Sequence, residues 1–193
     1  MTSLAELARP RAAAALEERC ELCGGPLPDE HRHVADVQQH ALLCVCRPCV
    51  ILLARPGAGG GHFRLVPERR VLLRDFPLDD EQWAALQLPV ELAFFFRSSA
   101  AGRVVALYPS PLGATESQLP VELALEGFEP DVEALLVNRA RGRREHYLVP
   151  IDDCYTLVAL IRSRWKGLAG GAEVWREIER FFDDLRERAK EER

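Results

Sequence analysis

The sequence has little lysine, no excess of positive charge and no long hydrophobic run. Only two of its 193 residues are lysine, and acidic residues outnumber basic ones to give a net charge of −5. Proteins that bind nucleic acid usually have a basic balance or a basic face. The charge therefore argues against a nucleic-acid partner.

No segment approaches the ~18 consecutive apolar residues by which a membrane-spanning helix is recognised. The longest candidate, residues 41–54, is interrupted by Arg47 and Pro48. The first 20 residues mix acids with bases and lack an apolar centre, so we expect no secretory signal. These absences predict a cytoplasmic protein with no membrane span, whose cysteines stay reduced.

Several motifs typical of enzymes are absent as well. The glycine-rich segment PGAGGGH at residues 56–62 is not followed by the Gly-Lys-Ser/Thr of a phosphate loop. The Gly-x-Ser-x-Gly motif is missing, and no Ser-His-Asp arrangement can be inferred. We therefore expect no catalytic residues and favour a protein that is not an enzyme.

The composition is that of an ordinary globular protein, with 48% hydrophobic and 28% charged residues. The glycine-rich segment is a flexible break and predicts a boundary between two domains. The first domain, residues 1–55, would comprise an N-terminal helix after Pro10 and a cysteine-rich metal-binding module. The second, residues 63–193, would be an α+β domain that ends in a pair of helices.

Apolar runs separated by turns predict the strands of the second domain. We expect strands over residues 63–66, 70–73, 90–97, 103–108, 132–139 and 145–149, of which the last four form two hairpins. Asp79 and Asp80 can cap a short helix between the strands over residues 70–73 and 90–97. Residues 109–117 are predicted to form a loop, and residues 119–128 fit either a strand or a helix.

The last third of the chain predicts two helices, each with an apolar face. On the first, after a cap at Asp152 or Asp153, the face consists of Cys154, Val158, Ile161, Trp165 and Leu168; on the second, of Val174, Ile178, Phe181 and Leu185. The predicted fold class is α+β, with a small N-terminal zinc-ribbon-like module followed by a mostly antiparallel sheet packed by two C-terminal helices.

Five of the six cysteines lie in two motifs, CELCGG and CVCRPC. A gap of two residues lets two thiolates on one tight turn point at a common centre, and two such turns supply four sulfurs with tetrahedral geometry. The 22 residues between the two CxxC pairs leave room for strands over residues 34–37 and 41–44, which is the plan of a zinc ribbon. We therefore predict a structural zinc ion bound by Cys20, Cys23, Cys46 and Cys49.

Alternatives to this ligand set and this metal stay open. Cys44 lies two residues before Cys46, so both would face the same side of a strand, and Cys44 could replace Cys46 as a ligand. A fifth cysteine also allows iron or an iron–sulfur cluster in place of zinc. A redox dithiol at CRPC ranks lower, because the βαβ pattern around such a motif is absent.

Three histidines, His31, His33 and His40, lie between the two cysteine pairs. Histidine can replace cysteine as a zinc ligand, but four cysteines already complete a tetrahedral site. We therefore favour surface or outer-shell roles for the histidines. A site closed by four cysteines has no open position for a substrate and is typical of structural zinc.

Four other features have simple interpretations. Arg139, Arg141, Arg143 and Arg144 fit a solvated turn better than a nucleic-acid contact, since no aromatic residues alternate with them. The segment SPLGATES at residues 110–117 could line a site but fits a turn followed by a helix cap. Cys154 fits a buried thiol. The aromatic residues of the two C-terminal helices fit the core, although some could face a protein partner.

Three segments carry a resemblance to a known family. They are CELCGGPLPDEHRHV with LLCVCRPC, then VALYPSPLGATES, and then EALLVNRARGRREHYLVPIDDCYTLVALIRSRWKGLAGGAEVWREIERFF. The chain resembles, over nearly its whole length, a family of unknown function that is found mainly in actinobacteria and often encoded beside NiFe-hydrogenase structural and maturation genes. The resemblance implies an accessory role in hydrogenase assembly or electron transfer, and it keeps Cys44 among the candidate ligands.

Three functional hypotheses follow. The first is a zinc-binding accessory or adaptor protein whose protein partner is a hydrogenase subunit or a maturation factor. The second is a rubredoxin-like or cluster-bearing redox protein. The third and weakest is a regulator that binds nucleic acid through the module and the arginine cluster.

Overall fold

The computed structural model describes residues 18–39, 41–55, 57–119, 123–167 and 170–192. The predicted helix after Pro10, together with His40 and Leu168, lies outside the described residues. The described chain forms two sheets and four α-helices and is an α+β fold, as predicted. None of the helices in the described part of the chain has the length and apolar content that a membrane span requires.

The first sheet has three strands in the order β2-β1-β3. A short helix, α1, follows β2 in the chain. The elements are β1 (Arg32–Asp36), β2 (Ala41–Val45), α1 (Arg47–Leu53) and β3 (Phe63–Leu65). Both predicted strands of the module are confirmed, and they pair antiparallel. Although β3 follows the glycine-rich segment, it pairs with β1 and so belongs to the first sheet.

The second sheet has seven strands in the order β10-β4-β9-β8-β5-β6-β7. The strands are β4 (Val71–Leu73), β5 (Leu92–Ser98), β6 (Arg103–Ser110), β7 (Gly113–Ser117), β8 (Glu133–Asn138), β9 (Glu145–Pro150) and β10 (Lys190–Glu192). Both predicted hairpins, β5–β6 and β8–β9, are confirmed. Every neighbouring pair is antiparallel except β10 with β4, which makes the sheet mostly antiparallel.

The predicted loop over residues 109–117 is wrong. Strand β6 continues to Ser110, the chain turns at residues 111–112, and β7 returns along β6. The side chains of β7 alternate between half-buried and exposed, as expected for an edge strand with one covered face. The helix cap expected for this segment is therefore wrong as well. Residues 119 and 123–128 form neither helix nor strand.

Three helices accompany the second sheet: α2 (Asp80–Ala85), α3 (Ile151–Arg164) and α4 (Gly171–Arg188). Helix α2 begins with the predicted cap, where the Asp79 carboxylate accepts the Gln82 N–H at 2.8 Å and the Gln82 side chain accepts the Asp79 N–H. The cap expected for α3 at Asp152 or Asp153 is wrong. Strand β9 runs directly into α3, so Pro150 is the N-cap and both acids lie in the first turn.

Each face of the seven-stranded sheet is covered by its own core. Helices α3 and α4 pack on one face, where Tyr147 of β9 and Phe182 of α4 are fully buried. On the other face, Phe95 of β5 packs with Leu86 and Phe128. The two C-terminal helices therefore pack on the sheet as predicted, while the second face is covered by α2 and an irregular segment.

A smaller apolar cluster joins the two sheets. Ala35 of β1 and Val66 after β3 pack against Val132 and Ile151, and all four side chains are buried. Because side chains alternate along a strand, the face of β1 that carries Ala35 is opposite to the face that carries Val34. One face of the first sheet therefore packs on the larger sheet, and the other packs on the cysteines.

Candidate metal centre

The first cysteine pair lies on a tight turn before β1. Gly24 directly follows Cys23 and has φ +70°, a conformation that is open to glycine and strained for other residues. This lets the chain fold back, so that the Gly24 N–H donates to the Cys20 carbonyl at 2.7 Å and the Cys20 N–H donates to the Gly25 carbonyl at 2.9 Å. The glycine therefore permits the tight turn on which Cys20 and Cys23 lie.

The second cysteine pair lies at the junction between β2 and α1. Cys46 is the N-cap of α1, and its carbonyl accepts the Val50 N–H at 3.1 Å. Cys49 lies one turn into the helix, with Pro48 in the first turn, where a missing N–H costs nothing. The Glu21 N–H donates to the Cys44 carbonyl at 3.0 Å and ties the first turn to β2.

These elements bring the four predicted ligands together. The Sγ atoms of Cys20, Cys23, Cys46 and Cys49 all lie within 4.8 Å of one another. The Cys20–Cys49 sulfurs are 3.7 Å apart and the Cys23–Cys46 sulfurs are 3.6 Å apart. Four sulfurs that each lie ~2.3 Å from a central zinc would be separated by about 3.8 Å, the edge of a regular tetrahedron. The cluster therefore has the size of a tetrahedral thiolate site.

The four thiols have unequal surroundings. Cys20, Cys46 and Cys49 are buried, whereas Cys23 is exposed. Burial alone would raise the pKa of Cys20, but the N–H groups of Cys46, Cys23 and Leu22 hydrogen-bond to its sulfur and lower that pKa to about 6. Burial and the neighbouring sulfurs raise the pKa of Cys49 to about 12. Cys20 and Cys49 thus differ in how readily each loses its proton.

The remaining cysteine of the motif, Cys44, lies outside this cluster. It lies directly across the ladder from His33, and its Sγ is within 4.8 Å of ligand atoms of His31 and His33. Burial and the carboxylate of Glu21 raise the pKa of Cys44. The structure thus gathers Cys46, and not Cys44, with the other three cysteines.

The two described histidines of the module are only half-buried, and both have partners. His33 Nδ1 lies 2.9 Å from Oδ2 of Asp152 in α3, and this hydrogen bond raises the pKa of His33. His31 Nδ1 lies 3.0 Å from the carbonyl oxygen of Pro28. Sequence reasoning did not predict that His31, His33 and Cys44 form a second group of side chains that could bind a metal. The His-x-His spacing opposite a cysteine in a hairpin was the available signal.

The arginine cluster has acidic partners. Arg141 pairs with Glu179, Arg143 with Glu145 at 3.5 Å, and Arg139 and Arg144 both pair with Asp80. The solvated turn predicted for this cluster is wrong for Arg139, which is only 7% exposed and lies over the ring of Trp83, 5.6 Å from its centroid. Sequence reasoning considered only the aromatic residues next to the arginines in the chain. It could not foresee the contact with Trp83, which lies in α2.

Two further predictions concern the helices. Cys154 is fully buried in the core between α3 and the sheet, as expected for a structural thiol. Phe181 and Phe182 are buried in the same core, whereas Trp165 and Trp175 are partly exposed at its edge. The aromatic residues of the helices are thus mostly core.

Comparison with known proteins gives a family but no characterised relative. No curated protein and no solved structure matches the chain. A family model described as a family of unknown function (DUF5947) matches residues 19–189, which include the cysteine cluster, the first sheet and every strand of the second sheet except β10. The chain belongs to this family of unknown function.

Proposed function

We propose that this protein is a metal-binding accessory or adaptor protein in which Cys20, Cys23, Cys46 and Cys49 hold one structural zinc ion. The observation that carries the proposal is the close approach of four thiol sulfurs from two CxxC turns. Zinc has no redox chemistry and accepts four thiolates in a closed tetrahedral site. Such an ion would tie a turn, a hairpin and a short helix together, which fits a structural role.

Elemental analysis of anaerobically purified protein tests the metal. After dialysis against a weak chelator we expect one equivalent of tightly bound zinc. The double substitution Cys20→Ser/Cys23→Ser should remove it, and the matched control Cys154→Ala, in the core of the other sheet, should retain it. Wild-type protein that is fully folded without metal would contradict the proposal.

A redox role with iron is the second candidate, because four thiolates at these distances suit iron as well as zinc. Colour separates the two metals. Zinc thiolate protein is colourless, whereas iron thiolate absorbs visible light. We expect no visible absorption from protein purified anaerobically, and iron in place of zinc together with a reversible redox signal would establish the second candidate.

The proposed partner is another protein, a hydrogenase subunit or a maturation factor. This part of the proposal draws on the resemblance to a family encoded beside hydrogenase genes. It is supported by α1, which leaves Ile51 and Leu52 exposed by 56% and 58% next to the metal-binding turn. The exposed pair gives an adaptor an apolar contact that a monomer does not need.

Affinity purification from the native host under hydrogenase-expressing conditions tests the partner. We expect hydrogenase-related proteins to be recovered with the wild type. The variant Ile51→Ser/Leu52→Ser should lose them while it keeps its zinc. Recovery of no hydrogenase-related protein would refute this part of the proposal and leave metal binding intact.

Two remaining parts of the proposal concern location and nucleic acid. We place the protein in the cytoplasm, where thiols stay reduced and remain available to bind a metal ion. Nucleic-acid binding is not proposed, because the arginine cluster is paired with acidic residues. We expect no salt-dependent binding to DNA or RNA.

A further inference from the structure

A second group of metal-ligating side chains lies on the opposite face of the first sheet from the cysteine cluster. Ligand atoms of His31, His33 and Cys44 lie within 4.8 Å of one another. His33 and Cys44 are direct partners in the β1–β2 ladder, and His31 precedes His33 by two residues. Strand alternation therefore places His33 and Cys44 on one face, while Val34 and Val45 point to the other. His31 lies directly before β1, with a ligand atom close to those of the other two.

The two imidazole rings are held in the way that metal-ligating histidines usually are. His31 Nδ1 donates to the Pro28 carbonyl at 3.0 Å, and His33 Nδ1 lies 2.9 Å from the Asp152 carboxylate. A hydrogen bond from Nδ1 to a carbonyl or a carboxylate leaves Nε2 as the basic nitrogen and fixes the orientation of the ring. The rings are 5.1 Å apart between centroids and inclined by 66°, so they do not stack face to face.

The charge and exposure of the group also suit a cation. The Asp152 carboxylate contacts His33, and the Glu21 carboxylate accepts the Cys44 N–H at 2.5 Å. All three candidate ligands are half-buried, and the His33 side chain keeps 30% of its surface exposed. An ion held there would be attracted by two carboxylates and would keep one side open to solvent.

We propose that His31, His33 and Cys44 form a second mononuclear site for a divalent transition-metal ion of the zinc class. Two imidazoles and one thiolate are a donor set for zinc, cobalt, nickel or copper, and not for magnesium or calcium. Three protein ligands leave the fourth tetrahedral position for water or a small exchangeable ligand. Asp152 is a positioning residue, which orients His33 from α3.

This site goes beyond the structural zinc proposed above, and it differs from it in chemistry. The four-cysteine cluster is closed, whereas the second site has a free coordination position. The two sites also differ in position. The second site contacts the larger sheet's layer, because Asp152, which holds His33, belongs to helix α3, and α3 packs on the larger sheet. An ion bound there would therefore link the two sheets in addition to being accessible to exogenous ligands.

Titration of metal-free protein with Co²⁺ under anaerobic conditions tests the proposal. We expect two equivalents to bind, the first with the strong sulfur-to-cobalt absorption of four thiolates and the second with the weaker absorption of a single thiolate. His31→Gln/His33→Gln and Cys44→Ser should each lose the second equivalent and keep the first, whose spectrum reports that the module is folded. The matched control His62→Gln should keep both.

Failure of this proposal can be told apart from failure of the first. Uptake of one equivalent only, with the spectrum of four thiolates, or two equivalents in the histidine double variant, would overturn the second site and leave the first. If wild-type protein shows no four-thiolate spectrum, but does show the single-thiolate spectrum and loses it in His31→Gln/His33→Gln, the four-cysteine site is overturned and the second site is supported.

Asp152 and the open position have tests of their own. Asp152→Ala should weaken binding of the second equivalent by about 10- to 100-fold and leave the affinity of the first unchanged. Asp152→Asn retains an acceptor for the His33 Nδ1–H and should recover part of the loss. Equal weakening at both sites would overturn the positioning role. Azide should change only the second spectrum, and a spectrum that does not respond to azide would exclude the open position.

Discussion

His146 is a buried imidazole whose protonation opposes folding. It is 6% exposed, it lies 5.7 Å from the ring of Phe76 between centroids, and its Nε2 has no hydrogen-bond partner among the described residues. Burial, together with the nearby positive charge of Arg139, lowers its pKa to about 4. In the unfolded chain the same group titrates near ~6.5. Between these values the unfolded chain binds more protons than the folded one.

The free energy of unfolding should therefore fall as the pH drops from about 6.5 to about 4, by at most about 3 kcal/mol from this residue. At higher pH the residue is neutral in both states and the contribution is constant. His146→Gln should flatten the pH dependence relative to the wild type, as measured by urea unfolding at a series of pH values. His62→Gln, at an exposed position, is the control. Equal slopes for His146→Gln and the wild type would contradict the prediction.

Glu133 is a buried carboxylate that depends on one arginine. Its side chain is 1% exposed, and it accepts two hydrogen bonds from Arg69, at 3.0 and 2.8 Å, and one from the Glu129 N–H at 2.9 Å. Removing one partner of such a pair leaves a buried charge without compensation.

Arg69→Ala should therefore lower the free energy of unfolding by about 3 kcal/mol, and Arg69→Ala/Glu133→Gln should recover part of the loss. The pair Arg103–Glu116 is the matched control, because both its side chains are at least half exposed. Arg103→Ala should cost less than about 1 kcal/mol. Similar costs for the two alanine variants, measured by denaturant unfolding, would show that the burial of Glu133 is not decisive.

At the scale of elements, the hairpins could be predicted and the edge strands could not. Strands β5 and β8 are apolar runs bounded by turn residues, so their local sequence suffices. Strand β10 consists of three charged residues, and it pairs with β4 only because α4 ends beside that strand. Strand β7 is polar and follows two prolines, which favours a loop when its partner β6 is not considered.

The same distinction separates the two proposed groups of metal ligands. Each CxxC pair is a local turn, so the four candidate ligands could be predicted from their spacing alone. The group of His31, His33 and Cys44 depends on the register of β1 with β2. It also depends on Asp152, which is 119 positions from His33 in the chain. Neither the register nor so distant a contact is contained in a short motif.

The first cysteine turn also gives a prediction at this scale. Gly24→Ala places a Cβ on a residue with φ +70°, which should cost ~1–2 kcal/mol and distort the turn that carries Cys20 and Cys23. Gly102→Ala is the matched control, because Gly102 has φ +66° in the β5–β6 turn and is not near the cysteines. Both variants should lose stability, but only Gly24→Ala should also bind zinc more weakly in competition with a chromophoric chelator. Unchanged zinc affinity in Gly24→Ala would contradict a role of this turn in the site.

At the scale of the whole molecule, the chain contains two sheets with separate cores of different size. The core of the first sheet consists largely of Val34, Val45 and three of the cysteines. The second sheet has a core on each face. We propose that the chain is built from two domains, with the boundary after β3 and not before it, since β3 completes the first sheet.

Metal removal should therefore affect the two sheets differently. A small module whose core includes its metal ligands gains much of its folding free energy from the bound ion. Chelation should abolish the protection of backbone amides in β1, β2 and β3 against hydrogen exchange, measured by mass spectrometry on peptides. Peptides of β5, β8 and β9 should keep their protection, because their core contains no proposed ligand.

Addition of zinc to the same sample is the control and should restore protection of the first sheet. Loss of protection in both sheets at once would show instead that the cluster of Ala35, Val66, Val132 and Ile151 makes the chain a single cooperative unit.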